Sequence, residues 1–335
     1  VFLRTLILLF CLANLCCLTG HCAEPTGYYS TALGLTGSAL RSALHQRIRA
    51  HTVIPYGSTD EAMMITDEDP NNTANVILIY SRISRAKSNF GGNVGQWNRE
   101  HTWPDSLGID GTGPAYSDLF HLRPADVQVN ADRGNMPFDE SNPGASGYQN
   151  PAHTTAPLCT QDADSWEPPA IVKGDLARCM FYMDVRYEGT SGEPNLQLTD
   201  NQALITTSST YMGRLNTLLV WHFLDPVDAA ERTRNDLVYN LYQGNRNPFI
   251  DRPEFVTALY GQVLDMLAAR QGTQCQLSWP AVAPETMSLI ETSQNLTAWS
   301  TVTGTVTTAG GTRTINLLLT GGRSFYRLRF IARDG

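Results

Sequence analysis

The sequence predicts an α+β protein: a mostly helical body around a central ββα unit, followed by a small C-terminal all-β module. Three observations carry this. Several segments repeat apolar residues at helical spacing. The stretches WNREHTWP and YSDLFHL, with PADVQVNADRG after them, read as two short strands and a short helix. Beyond residue 277 the composition turns Thr- and Gly-rich with β-branched alternation. The 335 residues divide into an export signal over 1–23, a body over 24–276 and the module over 277–335.

The opening residues carry Arg4, an apolar run from Leu6 to Leu18 and small residues near Ala23, the pattern of a secretory signal peptide. The run is too short for a typical transmembrane helix. No other long apolar run follows. The mature chain is therefore expected to be secreted or periplasmic, without a membrane span. Within the body, TGSALRSALHQRIRAH places Leu40, Leu44 and Ile48 on one helical face. NVILIYSR reads as a buried strand. YSDLFHL supplies the second strand of the central unit. PADVQVNADRG starts a helix with Pro124 in its first turn and ends it at Gly134. Residues 136–170, rich in Pro, Gly, Asn and Ser, are expected to be irregular.

KGDLARCMFYMDVRYEG puts Leu176, Met180, Met183 and Tyr187 on one helical face. DNQALITTSSTYMGRLNTLLVWHFLDP is expected to be helical at least from Tyr211 and to end at Pro226. Asp228 and Glu231 form a capping box for a last helix closed by Gly244. In the tail, FYRLRF alternates as a half-buried strand.

Composition bounds the function. Hydrophobic residues make up 42% and charged residues 17%, as in a folded globular chain. The net charge of −8 excludes gripping nucleic acid by global charge, so a polyanion site must be a local patch or depend on a metal ion. Of seven cysteines, Cys11, Cys16, Cys17 and Cys22 fall in or at the end of the signal. Cys159, Cys179 and Cys275 remain; an oxidising compartment allows one disulfide, Cys159 and Cys179 are the nearest pair, and whether they pair is open. The mature chain has no CxxC spacing, which argues against a zinc ribbon.

The candidate chemistry lies in the central unit. Glu100 offers a hard anionic oxygen and Asn130 a neutral amide oxygen, suited to Mg²⁺, with Mn²⁺ and Ca²⁺ as alternatives. His101 offers an imidazole able to take a proton from water at neutral pH. Arg99, Arg123 and Arg133 lie nearby to hold a phosphate. Such a set meets the needs of phosphodiester hydrolysis. Each residue alone has a plainer reading: Glu100 as a surface charge, Asn130 as a helix-end residue, His121 as a buried hydrogen-bonded side chain. One objection is geometric. Neighbours on a regular strand point to opposite faces, so Glu100 and His101 serve one phosphate only if the strand bends or ends there. Pro104 makes an ending there plausible.

Five blocks in order, WNREHTWP, YSDLFHLRPADVQVNADRGN, GDLARCMFYM, WHFLDPVDAAERTRNDLVY and GNRNPFIDRPEF, resemble the bacterial endonuclease I family over about residues 27–265. That family comprises exported nucleases with a His-Me finger, the ββα-metal fold. The resemblance implies His101 as general base, Glu100 and Asn130 as ligands of one divalent metal, and His121 as the residue that steadies the base strand. The family's phosphate-holding arginine has no clear counterpart, because the loop over 105–115 carries none. Arg99, Arg123 or Arg246 could take its place. The implied activity is largely sequence-nonspecific cleavage of DNA, with RNA as a second substrate, by a monomer.

Two rival functions fit the same groups: another metal-dependent phosphoesterase, and a noncatalytic surface-binding protein with a degenerate finger. The tail lies outside the resemblance. From 277 to 335 five arginines face three acids, a balance of +2 on an acidic chain. Its role is left open between binding, tethering to an envelope surface and capping.

Overall fold

The computed structural model describes residues 24–260, 267–271, 273–280, 287–293, 300–309, 312–318 and 325–331. The export signal expected over 1–23 lies outside them. Among the described residues no helix is long and apolar enough to cross a membrane.

The body mixes helices with small sheets. Helix α1 (Gly37–Ile48) buries Leu40, Leu44 and Ile48 as its spacing predicts. Helix α2 (Thr59–Thr66) leads into strands β1 (Glu68–Asp69), β2 (Asn72–Ile77) and β3 (Ser84–Ala86), which form one sheet in that order. The strand expected over NVILIYSR is therefore displaced. β2 ends at Ile77, and Leu78, Ile79 and Tyr80 are buried in a turn closed by the Leu78 N–H to the Ile83 carbonyl.

Strand β4 (Trp97–His101) pairs antiparallel with β5 (Leu122–Asp126), with Glu100 opposite Arg123 and His101 opposite Leu122. Between them lies the short helix α3 (Gly113–Tyr116). Of the residues expected as strand, Tyr116 closes α3 and Ser117–His121 turn at Asp118, whose Oδ1 accepts from the Phe120 N–H. Pro124 belongs to β5 and not to a helix. A two-stranded ribbon has free edges, so a missing N–H is tolerated there. Helix α4 (Val127–Arg133) is capped by Asp126, which accepts from the N–H groups of Gln128 and Val129. It ends at Gly134 as expected.

The segment over 136–170 is irregular apart from the two-residue strands β6 (Thr160–Gln161) and β7 (Trp166–Glu167). Helix α5 (Lys173–Arg186) is the centre of the body. It is buried on nearly every side and not along one face only. Its charges are paired with other elements: Lys173 with Glu140 and Glu167, Arg178 with Glu231, Arg186 with Glu193. Gly174 lets α5 meet the next helix closely, since a Cβ there would stand 2.0 Å from the Asp225 carbonyl oxygen.

That next helix, α6, runs only over Leu215–Leu224. Tyr211–Met212, expected as helix, form strand β9, parallel to β8 (Gln197–Leu198). The Ser- and Thr-rich approach to Gly213 favours turn and strand over helix. Helix α7 (Ala229–Leu237) is capped by Asp228, which accepts from the Glu231 N–H. It continues through a wider turn to Gly244, which adopts left-handed φ 71°. It is not the last helix: α8 (Pro248–Asp251) and α9 (Glu254–Tyr260) follow.

The described thiols of Cys159, Cys179 and Cys275 are free and buried, so Cys159 and Cys179, whose pairing the sequence left open, form no disulfide.

The tail holds β10 (Leu267–Gln271), β11 (Gln274–Pro280), β12 (Met287–Ser293), β13 (Ser300–Thr301), β14 (Thr307–Ala309), β15 (Thr312–Leu318) and β16 (Phe325–Ile331). They form two sheets, ordered β10-β11-β15-β14 and β13-β12-β16. Leu277, Trp279, Ile290, Ile315 and Leu317 bury together between them. The β structure begins at Leu267, ahead of the composition change at 277.

Candidate active site

Glu100, Asn130 and Arg133 meet where α4 crosses the β4–β5 ribbon, and His101 lies on the other face of β4. Side chains alternate along β4, so Asn98 and Glu100 face one way and Arg99 and His101 the other. On the first face, Glu100 is buried. Its Oε1 accepts from Tyr80 Oη at 2.6 Å and from Arg133 Nη1 at 3.1 Å. Both bonds fall on one oxygen, and Oε2 takes none among the described residues. Burial raises the Glu100 pKa, and the Arg133 charge and the Tyr80 hydroxyl oppose that rise.

Asn130 stands one helical turn before Arg133. Its Nδ2 donates to Asn98 Oδ1 at 2.9 Å and to the Arg99 carbonyl at 3.1 Å. A carbonyl only accepts, so this pair fixes the amide orientation and leaves Asn130 Oδ1 as the outward oxygen. Arg133 closes the corner. Besides Glu100 it reaches the carbonyls of His101 at 3.1 Å and Thr102 at 2.8 Å. It is 1% exposed, so it is a buried clamp on the strand end and does not meet solvent-borne substrate.

On the second face, His101 Nε2 lies 3.0 Å from the Tyr116 carbonyl oxygen. Nε2 therefore carries the proton, and Nδ1 keeps the lone pair. The ring stacks on Tyr116 at 4.8 Å and on Tyr56 at 5.7 Å. Burial lowers the His101 pKa, which keeps the imidazole neutral. His121 is fully buried, 5.3 Å from His101 between ring centres. Its Nε2 bonds the Ala115 carbonyl at 2.7 Å, and burial followed by the neighbouring His101 lowers its pKa to about 3. Its carbonyl accepts from both the N–H and the hydroxyl of Thr102. His121 thus ties β5 to the residue next to His101.

The arginines divide. Arg99 shares the His101 face, lies over the Tyr56 ring at 4.6 Å and is tied by Nε to Thr59 and by Nη2 to Asp60. Arg123 lies opposite Glu100 in register but turns away to Asp67 at 3.1 Å and Asp175 at 3.8 Å. Arg246 is not brought to this place; its guanidinium is spent on Asp236 and Asp251.

The donor set fits a hard divalent cation. Glu100 Oε2 and Asn130 Oδ1 are the oxygens that could serve as ligands, on side chains held by hydrogen bonds. Among the described residues no group of three or more His, Cys, Asp or Glu side chains forms a cage. An ion held here would keep most of its shell as water, the usual habit of Mg²⁺. Sequence reasoning missed Tyr80, Asn98, Tyr56 and Tyr116. Asn98 could have been found from its spacing to Glu100 on one strand face. The three tyrosines reach the site through the fold and carry no local signal.

The endonuclease I family profile matches residues 36–254. The chain belongs to the endonuclease I family. As a member it is a nuclease, a phosphodiester hydrolase whose substrate is nucleic acid. It is similar to an extracellular ribonuclease of Bacillus amyloliquefaciens, 51% identical over 71% of this chain and 79% of the relative. A protein of the same name from Bacillus subtilis (strain 168) is 50% identical over 71% of this chain and 80% of the relative. Endonuclease-1 of Buchnera aphidicola is 28% identical over 40% of this chain and 44% of its own length.

Proposed function

We propose that this endonuclease I member is an exported, metal-dependent nuclease of low sequence specificity. The β4–β5–α4 unit serves as its His-Me finger. His101 is the general base, and Glu100 and Asn130 hold one divalent ion, Mg²⁺ first and Mn²⁺ or Ca²⁺ as alternatives. The hydrogen bond from His101 Nε2 to the Tyr116 carbonyl carries this reading, because it commits one nitrogen and presents the other, Nδ1, to a water molecule. When bound, the metal supplies charge stabilisation at the phosphate and the leaving oxygen. Arg99, on the same face of β4 as His101, is the arginine best placed to contact the phosphate.

Export is supported by the signal pattern at the start of the sequence and by the names of the Bacillus relatives. Those names also place RNA beside DNA among the substrates to be tried. Nothing in the site resembles a helix presented to a groove, so contacts to phosphate and sugar should dominate. The enzyme is expected to act as a monomer, with the tail as a separable module.

The test is digestion of circular plasmid DNA and of a long RNA by the purified protein, with and without EDTA and across Mg²⁺, Mn²⁺ and Ca²⁺. Cleavage abolished by EDTA is the expected result. Undiminished cleavage in EDTA would remove the metal from the mechanism. Hydrolysis of a small phosphomonoester with intact plasmid would favour the phosphoesterase alternative. No hydrolysis of either would leave a binding protein.

A further inference from the structure

Tyr56 comes from outside the β4–β5–α4 unit and packs on its second face. It opens a single 3₁₀ turn, Tyr56–Ser58, entered from Pro55 and running straight into α2. Thr59 fixes that turn by donating its hydroxyl to the Tyr56 carbonyl at 2.8 Å. The same Thr59 oxygen accepts from Arg99 Nε at 2.8 Å, and Asp60 next to it pairs with Arg99 Nη2. The turn is thus tied to Arg99 through two consecutive residues.

The Tyr56 ring then makes two contacts on the face of β4 that carries Arg99 and His101. The Arg99 guanidinium carbon stands over the ring, 4.6 Å from its centre, and over the Phe90 ring at 4.8 Å. A guanidinium in that place is held by the negative face of the aromatic ring. The His101 ring stacks on Tyr56 at 5.7 Å, with only 16° between the planes. Tyr116 completes the group, 4.3 Å from Tyr56 and 4.8 Å from His101 between ring centres. Tyr56, Tyr116 and His101 are each only half-buried, and the Arg99 side chain keeps 16% exposure, so the cluster is open to a substrate. Burial, followed by Tyr116, raises the Tyr56 pKa to about 12, and Arg99 opposes that rise. The hydroxyl is therefore neutral at neutral pH. Tyr56 steadies Arg99 without adding a negative charge for a phosphate to meet.

Strand geometry places the Cα atoms of residues 99 and 101 about 7 Å apart, but leaves the tips of an arginine and a histidine free to choose among rotamers. A ring that touches both tips removes that freedom. We propose that Tyr56 is a positioning residue for cleavage, whose ring sets the spacing between Arg99 at the phosphate and His101 at the attacking water. The proposal rests on the roles given above to Arg99 and His101. A plain packing role makes a different demand: a ring that only edges the core is replaced at small cost by an apolar side chain of similar size.

The experiment is steady-state kinetics on a labelled oligonucleotide duplex, with the urea midpoint of each variant measured alongside. Tyr56→Leu should lower kcat by about ten- to a hundredfold, the cost of a reacting group displaced by about 1 Å, and should raise KM as Arg99 loosens. Tyr56→Phe keeps the ring and should recover most of both losses. In an Arg99→Ala background, Tyr56→Leu should no longer raise KM, because the contact it disturbs is already gone. A mere loss of folded protein would lower kcat, leave KM unmoved and act equally in both backgrounds. Should Tyr56→Leu fail to fold, Tyr56→Met repeats the comparison with an unbranched side chain. Native kinetics in the Leu or Met variant, a Phe variant no better than either, or the same rise in KM with and without Arg99 would each overturn the proposal. If Arg99→Ala and His101→Ala are slow while Tyr56→Leu is native, the positioning role alone falls. If those two variants themselves cut at native rates, the reading of the site falls and the proposal with it.

Discussion

Tyr80 Oη lies 2.6 Å from Glu100 Oε1, and Arg133 Nη1 reaches the same oxygen at 3.1 Å. Two donors on one oxygen hold the carboxylate in a single orientation with its other oxygen turned outward. Tyr80→Phe should therefore weaken Mn²⁺ affinity by about 10–100-fold, the usual cost of losing a partner that orients a ligand. Glu100→Ala should weaken it more, and more than Asn130→Ala, because a charged ligand is lost. Calorimetric Mn²⁺ titration of the three variants checks the order. Equal affinities throughout would mean that the ion binds elsewhere.

His101→Ala should lower cleavage by about a hundred- to ten-thousandfold, the range for a general base. Metal and nucleic-acid binding should persist, since neither uses Nδ1. A single-turnover assay with a parallel binding measurement separates the two. Near-native rates in the variant would rule His101 out as the base.

The pH profile follows from the sign of the His101 shift. A base acts only when unprotonated, and burial lowers its pKa. The acidic limb of kcat/KM should accordingly have its midpoint below about 6.5, the ordinary histidine value. Activity should be kept in mildly acidic solution and lost as pH falls through the lowered value. A midpoint above the ordinary value would show that another group controls the limb.

Gly174→Ala tests the packing that supports the body. The new Cβ would meet the Asp225 carbonyl oxygen at 2.0 Å and Arg178 Nη2 at 2.7 Å. Helices α5 and α6 would have to separate, and overpacking of this kind costs about 1–3 kcal/mol or more. The urea midpoint should fall correspondingly. An unchanged midpoint would show that the two helices yield without cost.

Truncation tests the tail. β10 pairs with β11 along its whole length, from Leu267 opposite Ser278 to Gln271 opposite Gln274. A chain ending at Gln276 would cut through β11 and leave an open strand edge, so it should aggregate. A chain ending at Tyr260 should stay soluble and cut plasmid. If the tail aids approach to a polyanion, that chain should lose rate mainly at low ionic strength, where charges act at longer range. Light scattering and a salt series of digests report both outcomes.

Local chemistry made part of this legible. Asp228 and Gly244 bound the helical segment between them because a cap and a left-handed glycine act on their own neighbours. The strand through Glu100 and His101 and the helix carrying Asn130 were visible from local pattern, while the second strand lies over Leu122–Asp126 and not over the residues before it. The burial of α5 on all sides was hidden, because its partner Glu231 lies 53 residues from Arg178. Pro124 misled because a proline fits both a first helical turn and the edge of a short ribbon. Arg133 looked like a phosphate ligand. Only the fold shows that its two terminal nitrogens are turned to Glu100 and two carbonyls.

The three described thiols are buried and unpaired, so nothing in the described body waits for an oxidant to close it. The described body therefore reaches its fold without a disulfide, and an oxidising compartment adds no covalent tie to it.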